Sequence, residues 1–83
     1  GDVLAARLLP RVKRLATSLL RNRADADDAA QLAILEILRA APAFRGECSV
    51  EWWADRITAR TAIRLARERR LRQVREGGDD GAE

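Results

Sequence analysis

Apolar residues recur every three or four positions along most of this chain, and nowhere do they hold the period of two that marks a half-buried strand. Between Val3 and Leu20 the recurring positions are Ala5, Leu8, Leu9, Val12, Leu15, Ala16, Leu19 and Leu20, which predicts an amphipathic helix. Pro10 interrupts the pattern. A proline inside a helix removes a hydrogen bond and crowds the preceding turn, so the helix either begins near Leu9 or kinks there. Asn22 to Asp27 reads as a connector, with Asp25 and Asp28 offering caps for a second helix from about Asp27 to Ala41. Ala30, Ile34, Ile37, Leu38 and Ala41 form its expected inner stripe. Leu32 and Leu35 widen the apolar surface beyond that stripe, which leaves part of the outer face for a partner.

Pro42 ends this helix, because proline disfavours helical backbone in the residue before it and cannot donate to the ladder. A linker then runs to Ser49, an expected N-cap, with Glu51 in the following turn set favourably against the helix dipole. The third helix is expected from Val50 to about Val74, with Trp53, Ala54, Ile57, Thr61 and Leu65 facing inward. Its last turns have few apolar residues and are expected to fray. Beyond them Gly77, Gly78 and Gly81, with Glu76, Asp79, Asp80 and Glu83, read as a flexible acidic tail or the start of an interdomain linker. The expected fold is all-α: a compact three-helix domain over residues 1–75, followed by a tail over 76–83.

A length of 83 residues allows one domain with a modest core. Apolar content of 47% argues for a packed fold, and 35% charged residues for a heavily solvated exterior. No apolar run approaches the roughly 20 residues that span a bilayer. Arg7, Arg11, Lys13 and Arg14 break up the apolar positions near the N-terminus, unlike the core of a signal peptide, so the cytoplasm is the expected compartment. Cys48 is the single cysteine and there is no histidine. That excludes an internal disulfide and a Cys/His zinc set, and it removes the usual acid–base group of an enzyme, so neither catalysis nor a cofactor is expected. Asp25, Asp27 and Asp28 lack a closed metal-ligand spacing and read as caps or an acidic docking patch.

Charge changes the picture most at the C-terminal half. Eight of the sixteen basic residues, all arginine, fall between Arg56 and Arg75, where Glu68 is the only acid. Arg56, Arg60, Arg64 and Arg67 share one side of the third helix by their spacing, and like charges so placed repel by a few tenths of a kcal/mol per pair, roughly. Phosphates would reverse that penalty. Arginine's planar fork suits phosphate or a base edge better than diffuse attraction requires. Trp52 and Trp53 differ by about 100° in direction along a helix, so one faces the core and the other the surface. Trp53 extends the Ile57 stripe and is taken as inward; Trp52 either shields apolar surface or stacks on an exposed base. Phe44, between Pro42 and Gly46, either pins the linker or supports a base pocket, with Arg45 as the neighbouring cation.

Three segments together resemble region 2 of the bacterial sigma-70 family, in particular its extracytoplasmic-function group. They are Ala26-Asp-Asp-Ala-Ala-Gln31, then Pro42-Ala-Phe-Arg-Gly46, then the basic helix with Trp53 and Ile57, in the family's order and spacing from about Leu8 to Arg70. The resemblance implies a helical domain whose second helix docks on the clamp helices of RNA polymerase through Asp28, Gln31, Leu32, Leu35 and Glu36. It also implies that the linker and third helix recognise the promoter minus-ten element and help open it. The linker residues Phe44, Arg45, Gly46, Glu47 and Ser49 match the loop that captures an unstacked non-template base. Trp52, Arg56, Arg60, Arg64 and Arg67 are then the DNA-facing candidates on the helix.

This chain departs from the family in two places. Arg60 and Arg64 stand where an asparagine and an aspartate are common, which implies either stronger attraction to the DNA backbone with altered local packing or a divergent factor with an unusual minus-ten preference. Ala29 and Ala30 replace a bulkier pair beside the acidic motif, which implies closer packing of the second helix. A reader of the minus-thirty-five element is not seen, so the chain is expected to be part of a longer protein, and an anti-sigma protein is a possible further partner. The alternatives from residue chemistry alone are a helical nucleic-acid-binding module that works without polymerase, or an interaction domain for an acidic protein.

Overall fold

The computed structural model describes residues 2–81, and side chains from Val3 to Arg75. It is all-α: helices α1 (Asp2–Leu19), α2 (Arg23–Ala40) and α3 (Val50–Gly81), with a 3-10 turn at Ala41–Ala43 after α2. Each helix packs on the other two, so the core lies along the axis of a three-helix bundle. A helix of 32 residues is about 48 Å long and one of 18 about 27 Å, so α3 overhangs the other two. The 53 × 22 × 18 Å extents of the molecule reflect that overhang.

α1 runs unbroken through Pro10. Pro10 and Ala6 both lie on the exposed side, so the carbonyl left without its helical donor faces solvent. Leu8, Val12 and Ala16, each four residues apart, are the buried stripe. α2 begins four residues earlier than its expected start near Asp27. Asn22 is the actual N-cap: its side chain accepts the Asp25 backbone N–H at 3.0 Å, and Asp25 is a first-turn residue. This early start brings Ala26 into the core. The inner stripe is accordingly Ala26, Ala29, Ala30, Ala33 and Ile37, with Ile34 packed beside it; Leu38 and Ala41 are only half-buried.

Pro42 sits in the 3-10 turn that closes α2, as its position predicts. Ser49 caps α3 as expected, accepting the Trp52 backbone N–H on its hydroxyl at 3.1 Å. The buried face of α3 comprises Ala54, Ile57, Thr58, Thr61, Ala62 and Leu65. Trp53 is half-buried against this core and not sealed within it. α3 continues to Gly81, past the expected end near Val74. The acidic side chains assigned to a tail over 76–83 lie outside the described residues.

Thr58 and Thr61 are both fully buried, yet only one is satisfied. The Thr58 hydroxyl donates to the Ala54 carbonyl at 2.8 Å, whereas Thr61 Oγ1 has no partner among the described residues. An unmade buried hydrogen bond costs about 1–3 kcal/mol. Thr61→Val keeps the shape and removes the orphan, so urea denaturation is expected to show unchanged or higher stability. Ile37→Ala, at a fully buried position, is expected to lose about 2–5 kcal/mol in the same experiment. Leu35→Ala, on the exposed side of α2, is expected to stay within about 0.5 kcal/mol of the parent.

Candidate nucleic-acid and protein interfaces

The one-sided core divides α2 into two faces. Ala26, Ala29, Ala30, Ala33 and Ile37 point inward, and Asp28, Gln31, Leu32 and Leu35 follow the complementary i, i+3, i+4, i+7 spacing outward. Leu32 is 40% and Leu35 52% exposed, which leaves two leucines in water beside an acid and an amide. Glu36 sits at the rim of this face, half-buried, 3.8 Å from Arg64 of α3. The docking residues read from the sequence therefore form one contiguous strip, with Glu36 turned toward the third helix.

Asp28 is already engaged. Arg69 donates through Nη1 to Asp25 and through Nη2 to Asp28, both at 2.8 Å, and so ties the start of α2 to the far part of α3. Exposed pairs of this kind are worth roughly 0–1 kcal/mol each, so they orient more than they stabilise. Arg69 was not among the residues singled out from the sequence. Its signal is its place four residues after Leu65, where the buried stripe of α3 would continue.

The linker and the start of α3 make a second surface. Phe44 does not line an open pocket by itself: its ring lies 4.7 Å from that of Trp53, tilted by 34°, so it pins the linker to the bundle. Gly46 has φ +74°, a left-handed turn that disfavours any residue with a Cβ. Arg45, Gly46, Glu47 and Ser49 are exposed, and Cys48 is a half-buried free thiol. Trp52 is 52% exposed, and the Arg56 guanidinium stands 5.0 Å from its ring centre in a cation–π contact. Ala40, Trp53, Arg56, Ile57 and Arg60 bound a cleft of ≈ 180 Å³ beside the end of α2. Ala40 and Ile57 supply its apolar part, Trp53 gives it an aromatic wall, and the arginines bring positive charge.

Farther along α3, Arg56, Arg60, Arg64 and Arg67 line a shallow groove with Ala59 and Ile63, ≈ 630 Å³ in volume. The four arginines thus share one surface, as their spacing predicts. A second clamp holds the beginning of this helix. Arg11 of α1 donates through Nε and Nη2 to the two Asp55 oxygens at 2.8 and 2.9 Å, and Arg7 lies 3.7 Å from Glu51. The Asp55 hydrogen bond raises the Arg11 pKa above its ordinary value, outweighing the desolvation that lowers it. Among the described residues no group of three or more Cys, Asp or Glu is arranged to hold a metal ion. Among the described residues no helix is long and apolar enough to cross a membrane.

The Phe44–Trp53 contact should appear as a coupling of about 0.5–1.5 kcal/mol in a double-mutant cycle of Phe44→Ala and Trp53→Ala, read by urea denaturation. Trp52→Ala is expected to cost far less, because that ring is half in water. Additive losses at Phe44 and Trp53 would mean that the linker is not pinned through this pair.

Comparison with known proteins agrees with the residue reading. The family model for sigma-70 region 2 matches residues 4–72, which includes α1, α2, the linker and α3 as far as Arg72. No curated protein and no solved structure matches the chain.

Proposed function

The chain belongs to the sigma-70 region 2 family, whose domains contact RNA polymerase and promoter DNA, and from that premise we propose that it is the polymerase-docking, minus-ten-reading domain of an extracytoplasmic-function sigma factor. The observation that carries the finer reading is the separation of two unlike surfaces on one core. One is an acidic strip with two leucines in water, on α2; the other is an aromatic and arginine-lined surface on the linker and α3.

On this reading the α2 strip seats on the polymerase clamp helices. Leu32 and Leu35 lose water on docking, while Asp28 and Gln31 supply direction through hydrogen bonds at the rim. Asp28 exchanges Arg69 for a basic group of the polymerase. Glu36, held near Arg64, borders the contact.

The linker and α3 then meet the non-template strand. Arg60, Arg64 and Arg67 attract its phosphates, and Trp52 with Arg56 forms a stacking platform at the edge of the opened region. The cleft beside Trp53 receives a base that has left the stack, with Phe44 holding Trp53 from behind and Arg45, Gly46, Glu47 and Ser49 shaping the approach. Unstacking a base costs a few kcal/mol, and a site that binds only the extruded form shifts the equilibrium toward the open duplex. The domain supplies address and strand opening; nucleotide chemistry belongs to the polymerase. The cytoplasm, where polymerase and DNA are, is the compartment this function requires.

The partition is tested by binding to a recombinant clamp-helix segment and, separately, to promoter DNA in the presence of polymerase core. Asp28→Arg is expected to weaken clamp-helix binding about tenfold to a hundredfold, the effect of losing one hydrogen bond to a charged group and adding a like charge. Arg69→Ala breaks the same internal ion pair but leaves Asp28 in place and unoccupied, so it should bind the clamp helices at least as tightly as the parent. Arg56→Ala and Arg60→Ala should weaken DNA engagement with docking intact. Equal losses in both assays by variants that circular dichroism shows to be folded would sink the partition. DNA binding indifferent to sequence and to polymerase would mark a general nucleic-acid-binding module instead.

A further inference from the structure

From Val3 onward the described charges of α1 are of one sign. Between Val3 and Ala24 the chain has six cations and no Asp or Glu. Two of the six are used inside the fold, Arg7 beside Glu51 and Arg11 on Asp55. The other four, Lys13, Arg14, Arg21 and Arg23, are exposed, and among the described residues none has a carboxylate within 4.0 Å. Lys13, Arg14, Thr17 and Ser18 line one shallow depression of ≈ 450 Å³, and Arg11, Arg14, Leu15, Ser18 and Asp55 line another of ≈ 350 Å³. Arg14 and Ser18 belong to both, so the two run into each other.

Two features set this surface apart from an ordinary solvated face. An exterior that serves solubility mixes both signs, as the acids and arginines of α2 do, and this one does not. Arg23 is the first residue of α2, at the positive end of the helix dipole, where a cation is disfavoured. The acid in that first turn, Asp25, is held by Arg69 and does not offset it. Arg23 has no carboxylate within 4.0 Å among the described residues, and an anion placed there would meet both the guanidinium and the dipole.

The surface also joins the one already described. Glu51 and Asp55 are spent on Arg7 and Arg11, in the same two turns of α3 that carry Trp52 and Arg56. Asp55 lines the α1 depression with Arg11 and Arg14 and directly precedes Arg56 of the α3 groove, which puts the Arg11–Asp55 pair between the two along the chain.

We propose that Lys13, Arg14, Arg21 and Arg23 form a second DNA-contact surface, which takes the phosphate backbone of duplex DNA without reading its sequence. Thr17 adds a hydroxyl to it. DNA held on the α3 surface continues over the Arg11–Asp55 pair onto α1, and the added phosphate contacts raise affinity and salt sensitivity without changing which promoter is chosen. The inference rests on the chain being a DNA-binding domain, and its test keeps the two apart.

The test is fluorescence anisotropy of the full chain with a labelled duplex of random sequence, repeated over a series of salt concentrations. Each phosphate neutralised on duplex DNA contributes about 0.9 to the slope of log affinity against log salt. The combined variant Lys13→Ala, Arg14→Ala, Arg21→Ala and Arg23→Ala is expected to lower that slope by about 2 or more. Replacing the three arginines by lysine should preserve most of it, which separates charge from any loss of folding. Arg60→Ala with Arg67→Ala is the comparison on α3. If the α1 variant keeps the parent slope while the α3 variant loses it, the second surface does not exist and the proposed function stands. If both variants keep the parent slope, DNA binding itself fails and takes this inference with it. An α1 variant with unchanged DNA slope but lost binding to purified polymerase core would make the face a protein contact and overturn the proposal.

Discussion

Close packing through alanine is the constraint on which this domain rests. Of its twelve buried apolar residues, seven are Ala16, Ala26, Ala29, Ala30, Ala33, Ala54 and Ala62, and four of these lie on α2. Alanine buries little area, so such a core gains less per residue from the removal of water than a leucine core would. What it offers is close approach: interhelix separation follows the size of the side chains at the contact, and small ones keep dispersion contacts dense. Ala29 and Ala30, both fully buried and smaller than the pair common in the family, belong to this arrangement. Leu8, Val12, Ile37, Ile57 and Leu65 supply the bulk that fills the remaining space.

A core that uses only one face of each helix leaves the opposite faces free for partners, and the ion pairs help hold the way those faces are aimed. Arg11 on Asp55 sets the start of α3 against α1, and Arg69 on Asp25 and Asp28 sets its far part against the beginning of α2. Arg64 near Glu36 lies between α2 and α3. Each of these contacts is partly exposed, and together they hold the rotation of α3 that core packing has already set. That rotation turns Trp52, Arg56, Arg60 and Arg67 outward together. The same pairs connect the α2 strip to the arginine surface, because Asp28 and Glu36 each hold an arginine of α3.

The linker shows how a few residues convert this bundle into a site. Pro42 stops α2, Gly46 reverses the chain in a left-handed conformation, and Ser49 starts α3 by capping it. Between them Phe44 stacks on Trp53 and anchors the excursion. The cleft beside Trp53 lies between the last residue of α2, Ala40, and the first turns of α3 that this excursion connects.

Most of this was open to reading from residue order. Helix number, the stop at Pro42, the cap at Ser49, the inward stripe of α3 and the shared side of Arg56, Arg60, Arg64 and Arg67 all follow from local rules: period, capping and the absence of a proline N–H. Even the family signal lies in three short segments. What local rules did not decide was where competing signals met. Asn22 and Asp25 are both good caps, and the earlier one is used, which puts Ala26 in the core and leaves the Asp25 carboxylate for Arg69. The inner stripe of α2 was misjudged because periodicity weighs hydrophobicity, whereas the packed helices select small size. The pairs Arg11–Asp55 and Arg69–Asp25 each span 44 residues, and Arg69–Asp28 spans 41. Separation along the chain carries no information about such contacts. They exist only once packing has chosen how each helix is turned, and that choice belongs to the tertiary structure alone.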